Sequence, residues 1–252
     1  MLFKEFGNKN APVVIFLHGG GVSWWTLKPQ IEALKKDYYI VAPIIDGHGE
    51  DYNNNFISIQ TSSTHVIDYI KGNCNGRVFA ICGLSLGAQI LVEILSKECD
   101  ITEYAVIESA LIYPIKMATK FIVPMYNMLY GLIKKRWFAK LQAKELNIPD
   151  ELFESYYEDS LRMTKQTLIN ITISNGNYSM PSTLCNTKAK TLILVGEKEL
   201  SVMKKSSLLL NNTICGSFLK VVEKSRHGEI SQVYPDKYLD LLQHFFENNT
   251  VL

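Results

Sequence analysis

Residues 77–95 have the sequence RVFAICGLSLGAQILVEIL, in which an apolar run leads through a glycine-flanked serine into a second apolar segment. The run before Gly83 is short, continuous and partly β-branched, which is typical of a strand buried on both faces. The segment after the turn has apolar residues at helical spacing, namely Leu86, Ile90, Leu91, Ile94 and Leu95. The stretch therefore predicts a strand, a sharp turn and a helix in immediate succession.

Similar apolar runs recur along the rest of the chain. They predict further strands at 13–17, 39–45, 104–107, 191–195 and 218–222. A last helix is predicted from Pro235, because proline favours a first helical turn and apolar residues follow at helical spacing. Strands that alternate with helices indicate an α/β protein with a mostly parallel, doubly wound sheet.

Residues 111–186 interrupt this alternation. They show no strand pattern, and they are rich in Met, Tyr, Phe, Ile and Leu, with proline and glycine between the apolar segments. We predict a helical cap at 111–186, inserted into a core domain formed by residues 1–110 and 187–252. The flanking runs AVIES and TLILVG predict adjacent strands, so the cap should leave and rejoin the sheet beside its ligand-binding edge.

The charge and composition of the chain limit its possible partners. Its 26 basic and 25 acidic side chains nearly cancel, so no overall field attracts it to nucleic acid or to an anionic membrane. Hydrophobic residues make up 47% of its 252 residues and charged residues 20%, as in chains that fold around one core of their own. We therefore expect a small-molecule substrate and no nucleic acid. Nothing in the composition favours one oligomeric state.

Several patterns indicate a cytoplasmic protein without a metal. The five cysteines form no C-x-x-C pair, which suits a reducing compartment. The N-terminal sequence MLFKEFGNKN is unlike a signal peptide, and no apolar run approaches the roughly 20 residues of a transmembrane helix. The histidines are scattered and no H-E-x-x-H motif is present, so we expect no metal site and no cofactor.

Ser85 is the candidate nucleophile, because G-x-S-x-G between a strand and a helix is the context that exposes a reactive serine. A serine hydroxyl needs a base within hydrogen-bond reach, and a carboxylate that orients this base. The chain order for this arrangement is serine, acid, histidine, which leaves His227 and His244 as bases. We choose His227, because it lies in the loop SRHGE after the last predicted strand, whereas His244 lies within the final helix.

The segments VVIFLHGGG, APIIDGHGED, GLSLG, LILVGEKE and SRHGEISQVYPDKYLDLLQHF resemble the successive signature segments of the α/β-hydrolase superfamily. The resemblance covers nearly the whole chain outside the insertion and implies the α/β-hydrolase fold. It places the triad acid three residues after the strand-ending Gly196, at Glu199, where the family more often has Asp. Glu108 and Glu197 remain alternative acids.

The resemblance also implies where the oxyanion of the reaction intermediate is bound. The backbone N–H of Leu86, directly after the nucleophile, is one expected donor. The second is expected from the loop H-G-G-G after the first apolar strand, by position from Gly20, with Gly21 as the second choice.

The implied activity is that of a serine hydrolase that cleaves carboxylic esters without a cofactor. The same family resemblance fits thioesterases, amidases, peptidases and carbon–carbon bond hydrolases, and a non-catalytic small-ligand receptor is the alternative from another class. A membrane-surface lipase that docks through its cap is a further alternative.

The apolar residues of the insertion indicate the kind of substrate. Its apolar stripe recurs at helical spacing on a helix expected to be kinked by Pro124, and consists of Met117, Phe121, Met125, Met128 and Leu132. The stripe either packs on the sheet domain or covers a pocket above Ser85, in which case Met125 and Met128 contact an apolar acyl or aromatic substrate. Trp24 is a candidate for another wall of this pocket.

Overall fold

The structure is a computed structural model and describes residues 1–115 and 121–250. In these residues the strands are β1 (Leu2–Phe6), β2 (Val13–Leu17), β3 (Tyr39–Ile44), β4 (Val78–Leu84), β5 (Thr102–Glu108), β6 (Lys190–Gly196) and β7 (Phe218–Val222). They form one sheet in the order β1-β3-β2-β4-β5-β6-β7. β1 is antiparallel to β3 and every other neighbouring pair is parallel, which confirms the prediction of a mostly parallel sheet.

Helices cover both faces of the sheet. Those of the described residues are α1 (Lys28–Leu34), α2 (Ile59–Asn73), α3 (Leu86–Lys97), α4 (Ile122–Ile133), α5 (Arg136–Glu145), α6 (Phe153–Arg162), α7 (Lys165–Asn177), α8 (Ser201–Thr213), α9 (Glu229–Gln232) and α10 (Pro235–Asn248). Val14 and Phe16 of β2 pack into one core with α1 and α10, whereas Ile15 and Leu17 pack into a second core with α2 and α3. Successive side chains of a strand point to opposite faces, so the sheet is doubly wound, as predicted.

The apolar runs located six of the strands. The structure extends β4, β5 and β6 by one or two residues at an end, and it ends β3 one residue earlier than predicted. The strand that the pattern missed is β1, with the sequence LFKEF and exposed side chains at Leu2 and Glu5. Because β1 lies at the edge of the sheet and is only partly buried, it lacks the continuous apolar run by which the other strands were recognised. The last helix begins at Pro235, as predicted.

Between β5 and β6 the described residues form helices and short turns, with no strand. We use the word cap below as a label for this segment. β5 and β6 are nevertheless direct neighbours, paired from Tyr104 with Lys190 to Glu108 with Leu194, so the predicted adjacency of the two flanking runs is confirmed. Pro124 lies in the first turn of α4, where its missing N–H needs no acceptor within the helix. The residues in front of α4, on which the predicted kink depends, lie outside the described residues. Met117 of the predicted stripe lies outside the described residues.

No helix within residues 1–115 and 121–250 has the length and apolar character needed to cross a membrane.

Candidate active site

Ser85 occupies the turn between β4 and α3 in a strained backbone conformation. Its φ of 54° and ψ of −110° are sparsely populated for a residue with a side chain. The turn is held on both sides, because the N–H of Ser85 donates to the carbonyl of Glu108 (2.9 Å) and its own carbonyl accepts from the N–H of Gln89 (3.0 Å). These bonds hold the backbone of Ser85 at the carboxyl end of the central strand.

The glycines on either side of this turn allow close backbone contact. A Cβ atom at Gly83 would lie 2.5 Å from the carbonyl oxygen of Gly87, and a Cβ atom at Gly87 would overlap the carbonyl oxygen of Leu17. Since backbone atoms cannot move aside as a flexible side chain can, both positions require glycine for steric reasons. The G-x-S-x-G pattern is thus explained by the packing of β4, α3 and β2.

His227 lies between the side chains of Ser85 and Glu199. Its Nε2 is 3.0 Å from the Ser85 hydroxyl, and its Nδ1 is 2.8 Å from Glu199 Oε2. The loop after β7 carries His227 to this position, and the next residue, Gly228, has a φ of +67°. The histidine side chain is 45% exposed, so one of its edges remains open to a substrate.

The side chain of Glu199 is fully buried and doubly anchored. Its Oε1 accepts hydrogen bonds from the Ser109 hydroxyl and from the N–H of Gly196, both at 2.7 Å. Burial by itself raises the pKa of Glu199, but the hydrogen bond and charge of His227, with the bonds from Gly196 and Ser109, outweigh burial and lower this pKa below its ordinary value. Glu199 is therefore ionised at neutral pH.

The two alternative acids have different surroundings. The Glu197 carboxylate accepts a hydrogen bond from the N–H of Lys224 (2.7 Å) at the protein surface. Glu108 is buried at the end of β5, and burial raises its pKa to about 7. Of the three glutamates proposed from the sequence, Glu199 is the one whose carboxylate is hydrogen-bonded to His227.

Gly20 and Leu86 lie next to each other beside Ser85. A Cβ atom placed on Gly20 would be 3.6 Å from Leu86 Cβ, and both Gly20 and Ser85 line the same cavity. Leu86 is the first residue of α3, so its N–H has no acceptor within the helix. The two residues predicted to bind an oxyanion are thus brought together at the amino end of a helix, which favours negative charge.

His18 fixes the loop that carries Gly20. The N–H of Ile45 donates to Nε2 of His18 (3.0 Å), which leaves Nδ1 to donate to the carbonyl of Gly19 (2.8 Å). Burial of the ring lowers its pKa to about 3, so His18 is neutral at physiological pH. The glycine loop is thereby tied to the end of β3.

The cavity at Ser85 has a volume of about 40 Å³. Its lining residues come from the glycine loop, the turn, the cap and the histidine loop, and are Gly19, Gly20, Val22, Leu84, Ser85, Glu145, Leu146, His227 and Gln232. The cap contributes to it through the end of α5, at Glu145 and Leu146.

The substrate-contact residues proposed from the sequence lie elsewhere. Met128 is 78% exposed and Met125 is 38% exposed on α4, and neither lines the cavity. Trp24 stacks obliquely on Phe6, with ring centroids 5.5 Å apart, and lines a separate surface hollow. The stripe correctly indicated a helix, but periodicity alone does not determine which helix of the cap meets Ser85.

The cap is hydrogen-bonded to the histidine loop through Asn147. The Nδ2 atom of Asn147 donates to the backbone carbonyl of His227 (2.8 Å). Asn147 follows α5 with a φ of 54°, and the N–H groups of Asn147 and Ile148 bond back to the carbonyls of Lys144 and Ala143. This is the Schellman arrangement, in which glycine is usual and asparagine is tolerated at the left-handed position.

A larger surface groove of about 850 Å³ lies next to the cavity on the other side of this connection. Lys144 and Asn147 line the groove, whereas the residues between them, Glu145 and Leu146, line the cavity. The turn after α5 thus separates the two spaces.

No protein-family model matches the sequence, and no curated protein matches it. Solved structures do match the fold. An esterase from Exiguobacterium antarcticum has a TM-score of 0.81 at 16% identity, over 98% of this chain and 95% of that chain. An enol-lactonase from Burkholderia xenovorans has a TM-score of 0.80 at 16% identity, over 98% and 96% of the two chains. A protein from Desulfitobacterium hafniense, described as belonging to the alpha/beta hydrolase family, has a TM-score of 0.77 at 19% identity, over 97% and 99%.

The chain has the α/β-hydrolase fold. Within this α/β-hydrolase fold, the sequence motifs located Ser85, His227 and Glu199, but they missed the residues that surround them. Ser109 is the residue directly after β5, a position that signals proximity to the site once the strand order is known. Glu145 and Asn147 had no motif, and the only sequence signal was an asparagine shortly after a helical segment.

Proposed function

We propose that this protein is a serine hydrolase that cleaves carboxylic esters through an acyl-enzyme. The observation that carries the proposal is the continuous hydrogen-bonded relay from Ser85 Oγ to His227 Nε2 (3.0 Å) and from His227 Nδ1 to Glu199 Oε2 (2.8 Å). A serine, a histidine and a buried carboxylate in this order form the arrangement that activates a hydroxyl for attack on a carbonyl.

In the first half of the reaction, Ser85 Oγ attacks the ester carbonyl while His227 Nε2 accepts the hydroxyl proton. The carbonyl oxygen becomes negatively charged, and the N–H groups of Leu86 and Gly20 donate to it. His227 then gives the proton to the departing alcohol. In the second half, His227 takes a proton from water as the water attacks the acyl group. His227 then returns this proton to Ser85 Oγ as the acid leaves, which restores the serine and the neutral imidazole.

Glu199 acts through His227. Because its pKa is lowered, its carboxylate is charged at the pH where the reaction runs. It holds the proton of the imidazole on Nδ1, so that Nε2 presents a lone pair to Ser85, and it stabilises the positive charge that His227 acquires. Ser109 and Gly196 keep the carboxylate in this orientation.

The size of the cavity favours a short acyl group. A space of about 40 Å³ beside Ser85, bounded by Val22, Leu84 and Leu146, accepts only a few heavy atoms without rearrangement of the cap. The names of two structural neighbours, an esterase and an enol-lactonase, support an ester as the bond that is cleaved.

The test uses a fluorophosphonate probe together with p-nitrophenyl esters of two to twelve carbons. We expect one probe molecule per chain, attached at Ser85 by peptide mapping, and the highest kcat/KM on acetate or propionate. Ser85→Ala should abolish labelling and lower ester turnover by about 10⁶-fold, as loss of the serine does in a comparable triad.

Two outcomes would contradict the proposal. If a folded wild-type protein neither reacts with the probe nor cleaves any ester, the relay does not perform acyl transfer, and a non-catalytic role on this fold is favoured. If Ser85→Ala retains ester turnover, the nucleophile lies elsewhere.

A further inference from the structure

One acidic side chain, that of Glu145, lines the cavity at Ser85. The other eight lining residues are glycines, aliphatic residues, Ser85, His227 and Gln232. The neighbouring cation, Lys144, faces the adjacent groove and does not line the cavity. A substrate bound at Ser85 therefore meets a negative charge supplied by the cap.

The Glu145 carboxylate has no partner of its own within residues 1–115 and 121–250. Neither an ion pair nor a side-chain hydrogen bond involves it there. By contrast, Glu154 on the neighbouring helix α6 pairs with Arg136. An exposed carboxylate without a partner keeps its full charge available for a ligand.

The position of Glu145 is also unfavourable for the helix that carries it. Glu145 is the last residue of α5, where the unpaired backbone carbonyls already give the helix end a partial negative charge. Stability of α5 would favour a cation at this position. The stability of α5 therefore does not explain why a glutamate occupies position 145. The carboxylate and the carbonyl end of the helix both make the electrostatic potential at the rim of the cavity more negative.

The turn that follows Glu145 has a fixed position relative to the reacting groups. Two backbone bonds close the turn after Glu145, and the side chain of Asn147 joins that turn to the carbonyl of His227 at 2.8 Å. Leu146 meets the glycine loop on the other side, where a Cβ atom on Gly21 would lie 4.0 Å from its methyl group. The cap is thus held against both sides of Ser85.

We propose that Glu145 makes the site selective for esters whose alcohol portion carries a positive charge, such as an ammonium group. The inference rests on the proposed ester hydrolysis and adds the class of ester. The short acyl group occupies the cavity, the alcohol portion extends towards its rim, and the cation of the alcohol meets the carboxylate of Glu145. Esters with an anionic alcohol portion are repelled.

The test compares two acetate esters of the same shape. Acetylcholine carries a quaternary ammonium group, and 3,3-dimethylbutyl acetate has a neutral carbon in its place. We expect the wild-type kcat/KM ratio, cationic over neutral, to be about tenfold at low ionic strength, and to decrease as salt screens the charge. Each ratio is divided by that of the two esters in base-catalysed hydrolysis, because the ammonium group also makes the alcohol a better leaving group. Glu145→Gln should bring this corrected ratio close to one, and Glu145→Lys should bring it below one.

The ratio is measured on one preparation, so any loss of active protein in a variant cancels. Glu158→Gln is the matched control, because it removes the same charge from an exposed site on α6 that lines neither the cavity nor the groove. Its ratio should equal that of the wild type.

The inference is overturned if the corrected ratio of the wild type is one, or if Glu145→Gln and Glu158→Gln lower the ratio by the same factor. In both cases ester hydrolysis itself stands. If the folded wild type cleaves neither ester nor any p-nitrophenyl ester, the proposed function fails and the inference fails with it.

Discussion

The sheet edge and the cap contribute to the site in different ways. The sheet domain supplies Ser85, His227 and Glu199. The hydrogen bonds that these side chains make to one another, to Ser109 and to Gly196 are 2.7–3.0 Å long, and the Glu199 carboxylate is fully buried. The cap supplies two lining residues, Glu145 and Leu146, from the end of one helix. The residues proposed to react are thus positioned by the ends of strands. The residues proposed to select the substrate are positioned by the packing of the cap on the sheet domain.

The part of the cap that reaches the cavity packs on a small apolar cluster of its own. Val22 and Trp25, which follow β2, pack with α5 and α6 in an apolar cluster that is distinct from the two cores of the sheet. Trp25 also donates its indole N–H to the carboxylate of Asp159 on α6, at 2.7 Å. Since one small cluster and a few polar bonds hold α5 and α6, these two helices are expected to open more readily than the sheet. The rest of the cap is anchored in a core of the sheet through Met163, Ile171 and Tyr178. Changes at the sheet edge should therefore affect the chemical step, and changes in the cap should affect substrate choice.

After the loss of Ser85 itself, the largest expected effect at the sheet edge concerns Glu199. Glu199→Gln keeps the shape of the side chain but favours the wrong imidazole tautomer of His227, so kcat should decrease by about 10⁴-fold, as in the comparable serine-protease change. Glu199→Asp keeps the charge and shortens the side chain by one methylene, so its kcat should lie between those of the wild type and Glu199→Gln. Steady-state kinetics on an acetate ester measures both.

Glu197→Gln serves as the control for this series, because the Glu197 carboxylate is bonded to the backbone of Lys224 and not to His227. Its kcat should stay near that of the wild type. Retention of kcat in Glu199→Gln together with its loss in Glu108→Gln would assign the orienting role to the carboxyl at the end of β5.

The second effect concerns stability and comes from Glu108. Burial raises the pKa of Glu108 from 4.5 to about 7, so the folded state favours the protonated carboxyl. The protonated carboxyl contributes to the free energy of unfolding. This contribution is fully present below the unfolded pKa and is lost as pH rises through the folded pKa. The loss amounts to about 3 kcal/mol between pH 4.5 and pH 7. Urea unfolding of the wild type and Glu108→Gln at pH 5 and pH 8 tests this.

The free energy of unfolding of the wild type should decrease from pH 5 to pH 8. That of Glu108→Gln should decrease less, because the amide has no proton to lose. An equal pH dependence in the two proteins would mean that Glu108 is solvated or paired in the folded state. The pKa values of Glu108, at the end of β5, and of Glu199, in the loop after β6, are shifted in opposite directions, and this difference would then need another explanation.

The sequence could predict the site residues of the sheet domain but not those of the cap. Ser85 lies in a motif whose strand, turn and helix are contiguous in sequence, and His227 lies in a loop directly after a recognisable strand. Local patterns were therefore sufficient, and the structure brings the two side chains to 3.0 Å. Glu145 and Asn147 reach the site through packing between the cap and distant loops, and no local pattern encodes such packing.

The fold, too, could be predicted only where the pattern is local. The buried parallel strands were recognisable by their continuous apolar runs, whereas the half-exposed edge strand β1 was missed. On α4 the spacing of Met125 and Met128 correctly indicated a helix. It could not indicate that this face of the helix is largely exposed, because exposure depends on where the neighbouring elements pack.

A smaller effect is expected at the connection between the cap and the histidine loop. Asn147→Gly keeps the left-handed backbone position and removes the hydrogen bond to the carbonyl of His227. A typical hydrogen bond contributes about 1 kcal/mol, so kcat should decrease by about fivefold with little change in the melting temperature. Asn147→Ala removes the same bond and in addition strains the backbone, so it should also lower the melting temperature.

A kcat equal to that of the wild type in Asn147→Gly would show that the loop of His227 is held by the sheet domain alone. A change confined to KM would indicate that Asn147 acts on the cavity wall instead of on His227.

The last pair of variants contrasts two parts of the cap, one with an expected effect and one with almost none. Leu146 lines the cavity, so Leu146→Ala should shift the preference of the enzyme towards acyl groups one or two carbons longer, at roughly 1–3 kcal/mol of discrimination per methylene. Met128 is 78% exposed on α4, so Met128→Ala should leave both acyl preference and stability unchanged within about 0.5 kcal/mol. The measurements are kcat/KM across the ester series and the free energy of unfolding. If Met128→Ala changes the acyl preference while Leu146→Ala does not, the stripe on α4 covers the bound substrate, and the cap must close over Ser85 differently during catalysis.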